Sequence, residues 1–183
     1  MARFSMLSSF KTYIVKWFGP YKESELPKDE KNMIYLWTGK RKSNPSVKYC
    51  VPQYCGITGR GKDRFQDKNH KKDELMPKYR KCWIGRIVGG RRTVVKGRQS
   101  IRKNTAFERT ESLLIYFFQR HKLHNCKCCF FNKQKGKNPP SIPIGILNVF
   151  FKINKEERMR IPATISNLNK IIIWDGNKII EGT

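Results

Sequence analysis

Met33-Ile34-Tyr35-Leu36-Trp37, MIYLW in residues 33–37, is an unbroken apolar and aromatic run, closed by Gly39 and by the polar stretch KRKSNPS. It is too short for a helix and suits a buried strand. Working outward, KRKSNPSVK reads as a loop turning at Asn44-Pro45, and Tyr49 to Thr58 returns to a strand-like pattern, with Pro52 restricted to a strand start or edge. Cys82 to Val88 (CWIGRIV) reads as a third strand that stops at Gly89-Gly90. Two helical segments accompany these strands. DRFQDKNHKKDEL, after Gly61, suits a short helix capped by Asp63 with Phe65 turned inward. The segment from Thr105 carries a capping-box spacing, Thr105 with Glu108, and an apolar stripe of Phe107, Leu114, Ile115 and Phe118. The expected fold is therefore α/β: a small central three-stranded antiparallel sheet, at roughly residues 33–38, 52–58 and 82–88, flanked by helices.

Three segments follow from this reading. Residues 1–31 form a basic and polar N-terminal extension, in which Pro20 and Pro27 argue against a long helix. Residues 32–133 form the core. QKGKNPPSIP then reads as a linker to a β-rich C-terminal extension, 144–183, where Asp175-Gly176-Asn177 separates two Ile-rich runs as a hairpin turn would. That hairpin either closes on the core or pairs with a second copy in a homodimer, and the sequence leaves both open.

Charge narrows the partner. The 183 residues carry 39 Lys and Arg against 14 Asp and Glu, a net charge of +25. A folded domain with that excess repels itself, and a polyanion relieves the repulsion; nucleic acid is the leading candidate because each neutralised phosphate also releases counterions. Residues 60–104 alone hold 16 Lys and Arg against 4 Asp and Glu, mixed with Tyr79, Trp83 and glycine turns, as expected of a surface that tracks a DNA backbone; Arg60, Lys62, Arg91 and Arg92 are its candidate phosphate contacts. No apolar run reaches the ~18 residues of a spanning helix, and Ser8, Ser9, Lys11 and Lys16 break up any secretory signal. The expectation is an intracellular protein, cytoplasmic or nuclear, not secreted and without a membrane partner. The six cysteines (50, 55, 82, 126, 128 and 129) include an adjacent pair, which fits reduced thiols. Cys50 and Cys55 with Cys126, Cys128 and Cys129, beside His121 and His124, would bind zinc only if the two groups met in space.

Several residues are candidates for chemistry. Tyr54 precedes Gly56, Gly59 and Gly61, which allow a backbone to approach a ligand closely, and Arg60, Lys62 and Arg64, which supply fixed positive charge. Glu111 shares the apolar face of its helix with Leu114, Ile115 and Phe118. A carboxylate there needs a positive partner, either an arginine such as Arg109 or Arg64, or a hard cation completed by phosphate oxygens.

In order and spacing these residues resemble the GIY-YIG nuclease family. Met33-Ile34-Tyr35 is similar to the first signature, with Met in place of Gly, and Tyr54-Cys55-Gly56 to the second, with Cys in place of Ile. Arg64 lies ten residues after Tyr54, at the position of the family arginine; His70, six further on, is similar to a histidine often found nearby; Glu111-Ser112-Leu113-Leu114-Ile115 looks like the family's E-x-x-L-I helix, and Asn125 follows where a late asparagine is common. The resemblance covers residues 33 to about 126, with a basic insert between the two tyrosines. It implies a metal-dependent endonuclease acting on double-stranded DNA, whether restriction-like, mobile-element or repair. Tyr35 would be the general base, Tyr54 a phosphate or water ligand, Arg64 the stabiliser of developing charge, His70 an aid to proton transfer, Asn125 a nucleic-acid contact, and Glu111 the ligand of Mg²⁺ (or Mn²⁺). Two other readings stay open: a non-catalytic basic nucleic-acid-binding module, zinc-stabilised or not, and a basic structural protein of a virus or ribosome. A buried Glu111 favours the metal enzyme, since a binding module has no need of it.

Overall fold

The apolar run forms strand β2 (Met33–Gly39), buried at every position, as a strand covered on both faces must be. In the computed structural model, which describes residues 11–46, 51–68, 70–88, 105–120, 122–123, 126–127, 137–152 and 170–182, β2 pairs antiparallel with β3 (Val51–Thr58) on one side and with β4 (Lys81–Val88) on the other. The expected strands are present, but the fold expected around them is corrected. β1 (Lys11–Tyr21) pairs antiparallel with β4, and its other edge takes β7 (Ile144–Lys152) in parallel. β8 (Lys170–Trp174) and β9 (Ile179–Gly182) then continue antiparallel. The result is one mixed seven-stranded sheet, ordered β3-β2-β4-β1-β7-β8-β9 and curled into a half-barrel, with a single α-helix among the described residues, α1 (Thr105–Arg120). A separate two-stranded ribbon joins β5 (Lys122–Leu123) to β6 (Cys126–Lys127).

The strand missed in the sequence is β1. Its buried positions alternate, Tyr13, Val15 and Trp17, which is the period of a strand with one face on a core. Lys11 and Lys16 conceal that period when the segment is read as a basic lead-in. Trp17 Nε1 donates to Asn148 Oδ1 of β7 at 2.8 Å in a buried hydrogen bond, so β1 is tied to β7 by side chain as well as backbone. Removing either partner strands a buried polar group, at a cost of about 1–3 kcal/mol.

Alternation divides the sheet into two faces. On one, Tyr13, Val15, Trp17, Ile34, Leu36, Cys55, Trp83, Ile144, Ile146 and Ile172 pack against α1 through Leu113, Leu114, Ile115 and Phe118. On the other, Tyr35, Trp37, Cys82 and Ile84 are covered by Leu26, Phe65 and Leu75 from the connecting segments. The connecting segments are short 3₁₀ turns, Glu23–Glu25, Gly61–Gln66, Lys71–Glu74 and Pro77–Tyr79, of which Gly61–Gln66 and Lys71–Glu74 stand in place of the helix expected after Gly61. Asp63 does not cap the first turn, whose N-cap is Arg60, but Phe65 does face inward. At the C-terminus, Asp175 Oδ1 accepts from the backbone N–H groups of Asn177 and Lys178 at 2.7 and 2.8 Å, which closes the β8–β9 hairpin with Gly176 at φ +103°.

Gly85 marks the tightest part of the helix-side core. A Cβ added there would lie 2.5 Å from Ile34 Cγ2 and 2.9 Å from Val15 Cγ1. Gly85→Ala is expected to destabilise the fold by about 1–3 kcal/mol. Urea unfolding checks this; an unchanged midpoint would show that β1 and β2 do not meet over Gly85.

Candidate functional site

The second face of the sheet gathers four of the residues singled out in the sequence. Tyr35 comes from the middle of β2 and Tyr54 from the neighbouring strand β3; both project to the side away from α1. The turn Gly61–Gln66 brings Phe65 edge-on against Tyr35, with ring centroids 4.9 Å apart, and leaves Arg64 beside it. His70, N-cap of the turn Lys71–Glu74, completes the group: its ring lies 6.0 Å from that of Tyr35 and 5.7 Å from that of Tyr54. Tyr35 Oη and His70 Nε2 are 3.4 Å apart, both in the interior.

The glycine of the second motif has a definite function here. Gly56 stands opposite Tyr35 in register, and a Cβ added to it would lie 2.5 Å from Tyr35 Oη. The phenol therefore lies across the bare backbone of β3, a cross-strand packing that only glycine permits. Gly61 also makes room for protein: at φ +62°, an added Cβ would fall 2.1 Å from the Glu30 carbonyl oxygen. The close backbone approach read from these two glycines is thus made by the chain itself.

Charge around the site is ordered by Asp67. Its carboxylate accepts from both Arg60 and Arg64, and the hydrogen bond from Arg60, then that from Arg64, holds the Asp67 carboxyl below its usual range. Partial burial works against the Arg64 charge, but Tyr35, Asp67 and Tyr54 outweigh it and keep the guanidinium firmly protonated. Burial is the largest influence on Tyr35 and drives its phenol far above the ordinary range; Tyr54 adds to the shift and Arg64 partly opposes it. Burial likewise pushes His70 down to about 4, helped by the charges of Arg64 and Lys72 and opposed by Asp73 and Asp67.

The turn that carries His70 is held by an ion network the sequence did not reveal. Lys72, with its side chain 7% exposed, reaches Glu23 at 2.7 Å and Asp73 at 3.1 Å; Arg80 pairs with the same two carboxylates and donates to the Lys72 carbonyl at 3.1 Å. In sequence these residues are indistinguishable from the surrounding solvated charges. Only the fold brings Glu23 to them.

Glu111 lies on α1, 4% exposed, and α1 packs on the sheet face opposite Tyr35, mainly over β3. It is buried, as its place on the apolar helix face required. It is not part of the tyrosine–histidine group: the convergence of Glu111 with Tyr35, Tyr54 and Arg64 that the nuclease resemblance implied is not found, because α1 covers the other face of the sheet. Among the described residues no cluster of three or more His, Cys, Asp or Glu side chains is placed to hold a metal.

Cys55 and Cys82 are buried thiols on opposite faces of the sheet. The other proposed zinc ligands, and Arg91, Arg92 and Asn125, lie outside the residues whose side chains are described. Trp83 is a core residue with no free stacking face, and Lys40 lies over the Tyr79 ring at 4.7 Å. Among the described residues no helix is long and apolar enough to cross a membrane. No protein-family model, curated protein or solved structure matches the chain.

The His70 shift has a sign that can be tested. An unfolded histidine titrates near ~6.5, and His70 in the fold near about 4. Between those values the unfolded chain holds the extra proton, so acid favours unfolding. The stability linked to neutral His70 is complete above the upper value and lost as pH falls through the lower one. His70→Gln is expected to lose less stability than the parent between pH 6.5 and 4, measured by denaturant unfolding across that range; parallel losses would place His70 in an ordinary solvated environment.

Proposed function

We propose that the chain is a divalent-metal-dependent nuclease that hydrolyses phosphodiester bonds of double-stranded DNA, with the face carrying Tyr35, Tyr54, Arg64 and His70 as its reacting surface. The observation that supports this most is the convergence of those four side chains, from two strands and two turns, in a protein of net charge +25. The two hydroxyls, the fixed guanidinium and the neutral imidazole have the chemistry needed to bind and polarise a phosphate.

In this reading Arg64 leaves Asp67 for the scissile phosphate and forks onto its oxygens. Arg60 and Lys62 take neighbouring phosphates. Tyr54 donates to a phosphate oxygen. Tyr35 acts as phenolate: it takes a proton from water as the water oxygen forms the new bond to phosphorus. The bond from phosphorus to the leaving sugar oxygen breaks, and that oxygen takes a proton from solvent. Glu111 would hold Mg²⁺ or Mn²⁺, which would neutralise charge on the phosphate. Glu111 is 4% exposed on the helix that covers the opposite face of the sheet, so this reading requires bound DNA to bring the Glu111 carboxylate and the tyrosine face together at the β3 edge. Substrate binding has one demanding task, to lower a phenol that burial now holds neutral; a phosphate-bound Arg64 alongside is the group on hand to do it.

A second reading has a specific observation in its favour. Tyr35 is only 1% exposed, as a core aromatic would be. On that reading the protein is a basic nucleic-acid-binding module that does not cut.

Plasmid cleavage with and without Mg²⁺ separates the two. The nuclease is expected to cut only with metal, while Glu111→Ala and Tyr35→Phe still bind DNA but lose on the order of 10²–10⁴ in rate. A parent that binds and never cuts with Mg²⁺ or Mn²⁺ supports the binding module.

A further inference from the structure

The two ring nitrogens of His70 have different partners. Nδ1 lies 3.1 Å from the backbone nitrogen of Lys72 and accepts that N–H as the cap of its own turn; Nε2 faces Tyr35 Oη. A backbone N–H can only donate, so Nδ1 carries no proton. A neutral imidazole with a bare Nδ1 has its single hydrogen on Nε2. The group turned toward Tyr35 is therefore a donor.

We propose that His70 is a positioning residue locked by the Lys72 backbone in the Nε2–H tautomer, which donates a hydrogen bond to the Tyr35 oxygen instead of removing its proton. Two features of the fold enforce this. The Glu23–Lys72–Asp73–Arg80 ion network fixes the turn from which the Lys72 N–H points. Gly56 fixes the phenol from the opposite side, leaving its oxygen where Nε2–H can reach it. The charged and titratable groups around the imidazole agree: Arg64 and Lys72 oppose a second proton on the ring, and the carboxylates of Asp67 and Asp73 that favour one are already engaged by Arg60, Arg64, Lys72 and Arg80. The lock reverses the assistance expected from the sequence. His70 favours the phenolate by donating to it, and the phenol proton leaves by another route, to solvent or to a substrate oxygen.

The structural part of this inference stands alone; its kinetic part rests on the nuclease reading. The first test is a two-bond ¹H–¹⁵N correlation spectrum of the uniformly labelled parent at pH 7, with the His70 signals assigned by their loss in His70→Gln. The expected spectrum shows protonated Nε2 and bare Nδ1. A protonated Nδ1, or an imidazolium, overturns the proposal whether or not the protein cuts DNA. The second test is DNA cleavage by His70→Gln and His70→Ala, with circular dichroism to confirm that each folds. Glutamine keeps an N–H donor but has no basic nitrogen. His70→Gln is expected to retain a rate within about tenfold of the parent while His70→Ala loses on the order of 10²-fold. Equal loss in both folded variants overturns the donor role. A parent with the expected tautomer and no cleavage contradicts the nuclease reading and leaves the lock standing.

Discussion

Strand β1 is the constraint on which the rest of the structure depends. Among the described residues it is the strand that joins the two halves of the sheet, antiparallel to β4 on one side and parallel to β7 on the other. A sheet ending at β4 would expose a row of unpaired backbone groups and leave the apolar face of α1 without Tyr13, Val15 and Trp17. With β1 in place the helix has a continuous floor that extends to Ile172 on β8. The buried Trp17–Asn148 hydrogen bond gives this junction a partner requirement that simple hydrophobic matching lacks.

The same two-residue period that builds this floor places the candidate chemistry on the other side. Ile34 and Leu36 face α1, so Tyr35 and Trp37 cannot. Their face is roofed by short turns whose conformation depends on local capping and ion pairing, not on a long apolar stripe. Such a roof is polar at its rim, through Arg60, Arg64 and Asp67, and apolar within, through Phe65 and Leu75. A phenol and an imidazole held in that interior stay neutral, because burial penalises charge on either. In the proposed reaction, activation of Tyr35 depends on what enters the rim and how it redistributes Arg64 between Asp67 and an incoming anion.

The sequence displayed the strongly patterned parts. MIYLW could only be buried, and the Ile-rich runs around Asp175-Gly176-Asn177 could hardly avoid forming a hairpin. Of the residues the resemblance implied would converge, Tyr35, Tyr54 and Arg64 share one face with His70 because β2 and β3 are neighbours, and Glu111 does not join them. What escaped has physical reasons. β1 is half-buried on its second face, and Lys11 and Lys16 gave it the composition of a tail. The parallel pairing of β1 with β7 joins residues more than 130 apart, which no local pattern encodes. The segment after Gly61 has the composition of a helix, but tertiary packing of Phe65 and the capping of His70 break it into turns. Glu111 was correctly placed on an apolar helix face, yet the face of the sheet that its helix would cover was not determined by the sequence.

The central claim is that Glu111 and the tyrosine–histidine face serve one phosphodiester across the β3 edge. Paramagnetic broadening by Mn²⁺ tests it directly, on the Tyr35→Phe variant bound to a DNA duplex so that the complex does not turn over. If one phosphodiester is served from both sides, Mn²⁺ broadens the His70 imidazole signals and Glu111→Gln abolishes the broadening. Sharp His70 signals with Mn²⁺ bound, or broadening that persists without the Glu111 carboxylate, would contradict it.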